Sequence, residues 1–120
     1  MSNEFKHPDF TGWATKTNLL CTDGVTIRQG AFKHNDQKRV PLVWDHDRKS
    51  SDNILGYAIL SYNDDGVRTR CFFNDTERAQ NAKIAVQHGD LNSLSIFANK
   101  LVTRGNDVLD GDIGEVSLVI

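Results

Sequence analysis

The chain has 120 residues, 38% of them apolar and 25% charged, a globular balance large enough for one hydrophobic core and too small for two. Fourteen Lys and Arg against 16 Asp and Glu leave a net charge of −2, which argues against a dedicated nucleic-acid binder. Its apolar runs, Val40–Trp44 among them, are far short of a membrane-spanning helix.

The first residues mix Asn, Glu, Lys, His and Asp without an apolar block, so they do not read as a signal peptide, and residues 1–9 are expected to form a flexible N-terminal segment. Phe10–Thr15 has the aromatics and threonines of a strand, with Gly12 marking a bulge or a close approach. Cys21 and Cys71 lack metal-ligand spacing and are expected to be two reduced thiols in a cytosolic protein. Thr26-Ile27-Arg28 is a short extended piece, Gln29–Phe32 a turn, and Lys33–Lys38 a polar loop. Arg39–His46 reads as a strand that Pro41 pushes toward an edge or a strand start.

Asn53–Tyr62 and Gly66–Asn74 flank Asn63-Asp64-Asp65-Gly66 and predict a hairpin. A helix follows at about residues 75–88. Asn74 or Asp75 is its expected cap, Ala79, Ala82, Ala85 and Val86 with Ile84 its apolar face, and Gly89 its left-handed stop. Asn92–Thr103 alternates again, Leu94, Ile96 and Ala98 on one face against Ser93, Ser95 and Phe97 on the other. Arg104–Asp107 is a second hairpin turn, and Val108–Leu109 and Ile113–Ile120 are the last strands, punctuated by Gly111 and Gly114. These elements predict a mainly β, compact antiparallel barrel with one packed helix. The final strand carries no polar tail, so a truncated or processed C-terminus is expected, and its edge is expected to offer a surface for self-association.

Of the four histidines, His7, His34 and His88 lie in polar surroundings and read as surface or capping residues. His46 ends an apolar strand, where a side chain can reach a cleft from a rigid platform. It could be a general base, or a metal ligand with Asp45 and Asp47, although strand alternation would point those carboxylates away from it. Ser93 and Ser95 stand inside an apolar strand rather than a loop, and a nucleophilic serine there needs a base from elsewhere in the fold, His46 being best placed. Glu115 shares a strand face with Ser117 and must be paired or at a rim, while Asp110 and Asp112 sit among glycines like turn residues.

Taken in order, Phe10-Thr11-Gly12-Trp13-Ala14, Gly30-Ala31-Phe32, Val40–Asp47, Leu55-Gly56-Tyr57-Ala58, Gly89–Ile96 and Gly114–Val119 resemble the prohead serine proteases of tailed bacteriophages, which are similar in fold to the herpesvirus capsid-maturation proteases. The resemblance runs from about Phe10 to the end, making residues 10–120 a protease domain. It implies His46 as the histidine after a Pro-Leu-Leu-Trp type strand, Ser95 as the nucleophile of a Leu-Ser-Ile motif, and Glu115 as the third member. Many relatives have Gly where this chain has Ser93, and a Gly and an aromatic where it has Phe97-Ala98. The implied activity is acyl transfer without metal or cofactor on the scaffold, the capsid protein's scaffolding segment and the protease itself, inside the procapsid in the host cytoplasm. A non-catalytic β-barrel that binds capsid or scaffold segments is the alternative, and a metal-assisted hydrolase built on His46 a third.

Overall fold

A computed structural model describes residues 7–20, 24–91 and 93–119. Among the described residues, seven strands form one sheet: β1 (Phe10–Lys16), β2 (Thr26–Ile27), β3 (Arg39–Trp44), β4 (Ile54–Asn63), β5 (Gly66–Phe73), β6 (Ser93–Arg104) and β7 (Asp107–Val119). One helix, α1 (Glu77–His88), stands between β5 and β6. The sheet order is β1-β5-β4-β3-β7-β2, with β6 on the other edge of β7. Most pairs are antiparallel; β3 and β2 meet opposite ends of β7 in parallel.

Strands β1 and β6 close upon each other without a hydrogen-bonded ladder among the described residues, curling the sheet into a half-barrel. Gly12 permits this approach, since a Cβ there would stand 3.0 Å from Leu94 Cδ1. Inside lie Phe32, Leu42, Leu55, Leu60, Val108, Ile113, Val116 and Leu118, all buried, and Leu94, Ile96 and Ala98 pack against them. The alternation expected along β6 is therefore observed, apolar in and Ser93, Ser95 and Phe97 out.

The β4–β5 hairpin forms as expected, its turn braced by Asp65 N–H donating to Asn63 Oδ1 at 2.8 Å. Helix α1 departs from expectation at its start. Thr76, rather than Asn74 or Asp75, is the cap, its hydroxyl accepting from Ala79 N–H at 3.2 Å, while Gly89 ends the helix at φ 91° as expected. Ala79 and Ala82 are buried against the sheet, but Ile84 is 63% exposed and does not belong to the packed face.

Other segments also differ from expectation. β3 stops at Trp44 instead of His46, for a reason that bears on the site. Pro41 lies inside a strand paired on both sides, yet the ladder to β7 begins only at Leu42, so its missing N–H leaves no bond to β7 unmade. The two expected final strands are one continuous β7: Gly111 does not break it but makes room for Leu101 and Phe32, whose side chains would lie 2.6 and 3.0 Å from a Cβ. The polar segment 33–38 is also more than a surface loop, because Asn35 is buried and clamps β7, donating to Gly111 O at 2.9 Å and accepting from Ile113 N–H at 3.0 Å.

Cys71 is a buried free thiol on β5; Cys21 lies outside the described residues, as do residues 1–6 of the segment expected to be flexible. Asp9 is tied to the sheet, its amide donating to Cys71 O at 2.8 Å and its carboxylate accepting from Phe73 N–H at 2.7 Å.

Candidate active site

Strand β3 ends where two consecutive residues turn left-handed, Asp45 at φ 48° and His46 at φ 58°. Each such non-glycine residue costs about 1–2 kcal/mol, so the surroundings must hold the turn. Three backbone donors do so. Asp47 N–H closes the turn onto Trp44 O at 2.9 Å, and Asp45 N–H reaches Leu118 O of β7 at 2.8 Å. His46 N–H donates to Ser117 Oγ at 2.7 Å, and that hydroxyl, fully buried, donates in turn to Val43 O at 3.1 Å.

The turn folds His46 back over the outer face of β7. There His46 Nδ1 lies 2.6 Å from Glu115 Oε2. The Glu115 side chain is 2% exposed, and its other oxygen, Oε1, accepts from Arg48 Nε at 3.1 Å. A buried carboxylate is costly unless paired, and this one has both a ring nitrogen and a guanidinium. With Nδ1–H donated to Glu115, the tautomer of His46 leaves the Nε2 lone pair available to accept a proton.

Ser95 stands on β6 directly opposite Ser117 of β7, and Phe97 directly opposite Glu115. Opposed residues of an antiparallel pair point to one face, with Cβ atoms about 5 Å apart. Ser95, Ser117, Glu115 and His46 thus share the outer face of the sheet. Ser95 is half-buried; Ser93 is exposed and faces Val119, two residues along the same ladder. No hydrogen bond joins Ser95 Oγ to His46 among the described residues. Beside Ser95 the unpaired seam between β1 and β6 opens into a cleft of about 580 Å³, lined by Trp13, Leu19, Leu94, Ile96, Phe97 and Leu101 among others.

The expectation that strand alternation turns Asp45 and Asp47 away from His46 is corrected, because the strand has ended before either residue. Asp47 instead caps its own turn, accepting from Lys49 N–H at 2.9 Å. Among the described residues, no group of three or more His, Cys, Asp or Glu side chains is arranged to hold a metal ion. The other histidines lie at the surface: His34 contacts Asp110 at 3.2 Å and Asp112 at 2.6 Å, and His88 contacts Asp90 at 3.1 Å. The hydrogen bond from His34 holds the Asp112 carboxyl below the usual carboxylate range. Asp110 and Asp112, expected in a turn, are strand residues of β7.

Two residues of the site were not singled out by sequence reasoning. Ser117 carried a signal, a hydroxyl two positions from Glu115 on the same strand face, in an otherwise apolar stretch. Arg48 carried none beyond its nearness to His46.

A family profile, caudovirus prohead serine protease, matches residues 3–113. The chain belongs to that family. It is a serine protease at the family level, with a role in capsid maturation and a place of action in the assembling procapsid. The matched span contains His46 and Ser95 and stops two residues before Glu115, whose assignment therefore leans on its contact with His46. No curated protein and no solved structure matches the chain. No helix among the described residues is long and apolar enough to cross a membrane.

Proposed function

We propose that this prohead protease cleaves peptide bonds through Ser95, His46 and Glu115. The observation that carries the reading is the 2.6 Å contact between His46 Nδ1 and the buried Glu115, on the sheet face that Ser95 shares from the neighbouring strand. A base oriented by a carboxylate beside a serine is the arrangement acyl transfer requires.

Ser95 Oγ attacks the scissile carbonyl carbon as its proton passes to His46 Nε2. The C–N bond then breaks, the proton moving from Nε2 to the leaving amine and the acyl group staying on Ser95. Water attacks this ester, gives its proton to Nε2, and the serine is regenerated when that proton returns to Oγ. Throughout, Glu115 stays ionised, holds the Nδ1–H tautomer and stabilises the imidazolium as it forms. Catalytic hydrogen bonds are often long before substrate binds, which accommodates the unjoined Ser95 and His46.

The substrates we assign are the scaffold, the scaffolding segment of the major capsid protein, and the protease itself. Co-expression with the major capsid protein and scaffold of its own phage tests this: the account expects cleavage by the wild type and none by Ser95→Ala. The non-catalytic alternative is favoured by the missing Ser95–His46 hydrogen bond. It expects binding of the same partners, no cleavage, and Ser95→Ala indistinguishable from wild type.

A further inference from the structure

Arg48 reaches three parts of the site at once. It lies two residues after His46 in the same loop, its Nε stands 3.1 Å from Glu115 Oε1 on β7, and its guanidinium lies over the Phe97 ring of β6, 5.4 Å from the centroid. Phe97 is two residues beyond Ser95 and directly opposite Glu115. One side chain therefore ties the loop of the proposed base, the strand of the acid and the strand of the nucleophile.

The chemistry of Glu115 explains what this does. Its carboxylate has two oxygens and almost no access to water, its side chain being 2% exposed. His46 meets one oxygen. Without a partner for the other, the carboxylate could rotate, swap oxygens or draw the imidazole out of line. A guanidinium is always charged and presents a planar, directional donor, so it fixes the carboxylate plane as well as its charge. The Phe97 ring beneath it adds a second hold on the guanidinium, a modest one because both side chains are about half exposed.

From these contacts we infer that Arg48 is a positioning residue of the site, holding Glu115 so that Oε2 faces His46 Nδ1 and the imidazole faces Ser95. The inference rests on the Ser95–His46–Glu115 reading and adds a fourth member that touches neither substrate nor the reacting atoms.

The test is the rate of inactivation by a fluorophosphonate, followed by intact mass, for wild type, Arg48→Met, Arg48→Lys, Ser95→Ala and His46→Ala. Proton NMR of the downfield imidazole N–H region gives a readout independent of the reaction. Arg48→Met is expected to react about 10- to 100-fold more slowly, the scale of a small misplacement of reacting groups. Its His46 Nδ1–H signal should broaden or disappear. Arg48→Lys, which restores the charge and a donor but not the planar fork, should recover part of both.

Because Arg48 is about half exposed, methionine preserves its stem and the fold should survive. A melting temperature near that of the wild type separates lost positioning from lost structure. If Arg48→Met unfolds, Arg48→Lys decides through its own N–H signal and rate. Wild-type rate and signal in Arg48→Met, or an Arg48→Lys protein no better than Arg48→Met, overturns the role of Arg48 while leaving the three-residue site intact. A wild type that is not labelled at Ser95 overturns the three-residue site and the inference together.

Discussion

The backbone amide of His46 donates to the hydroxyl of Ser117, 71 positions away in sequence, at 2.7 Å. This bond couples the turn that ends β3 to β7, on whose outer face Glu115 and Ser117 lie, and Ser117 itself faces Ser95 across the β6–β7 ladder. Position in the site is thus passed from strand to strand by one buried hydroxyl.

Ser117→Ala removes that hydroxyl, leaving His46 N–H and Val43 O each without this partner. Losing buried hydrogen bonds of this kind costs about 1–3 kcal/mol. Thermal unfolding should show a melting temperature lower by several degrees, about 3–10 °C. Inactivation by a fluorophosphonate should slow in the same variant, because a left-handed His46 held by fewer bonds spends less time over Glu115.

Glu115→Gln keeps the size of the side chain while making the group beside His46 Nδ1 neutral. Its amide can present either a donor or an acceptor to the ring, so the tautomer is no longer enforced. A loss of about 10²–10⁴-fold in the labelling rate at Ser95 is expected, without loss of the fold by circular dichroism.

The Cys71 thiol is pushed up from its ordinary 9.0 to about 12, mainly by burial, with the Thr69 hydroxyl opposing the rise and Asp9 adding to it. The folded state therefore holds the thiol proton more tightly than the unfolded state. Above pH 9 the unfolded chain ionises first, so the stability this group confers is present below pH 9 and is lost as pH rises toward 12. Denaturant titrations at pH 8, 9 and 10 should show stability declining across that series, less so in Cys71→Ala. Folded wild type at pH 8 should also resist alkylation at Cys71 until denaturant is added.

Gly56→Ala should abolish folding rather than impair catalysis. A Cβ at Gly56 would stand 1.8 Å from Phe72 O, a backbone atom of the paired strand that has nowhere to go. A cost above about 4 kcal/mol is expected, read as insoluble protein or as loss of the cooperative unfolding transition.

The hairpin, the helix stop at Gly89 and the alternation along β6 were legible because each depends on local rules: turn chemistry, a left-handed cap and a period of two. The histidine turn was not. Trp44-Asp45-His46 continues an apolar strand as a string of letters, and only the bonds from β7 to Asp45 and His46 make the left-handed geometry worth its strain. For the same reason Arg48 gave no sign, since its role exists only once β6 and β7 bring Phe97 and Glu115 beneath it. His46 stood out as a histidine ending an apolar strand and Glu115 as a charged residue entering one, whereas the choice of Ser95 over Ser93 came from family resemblance.

The central claim is that Ser95, activated by His46, is the nucleophile. Fluorophosphonate labelling read by intact mass and peptide mapping tests it on wild type, Ser95→Ala, Ser93→Ala and His46→Ala. The account predicts one adduct per chain, mapped to Ser95, retained in Ser93→Ala and lost in the other two. A folded wild type with no adduct, or an adduct that persists in Ser95→Ala, would contradict it.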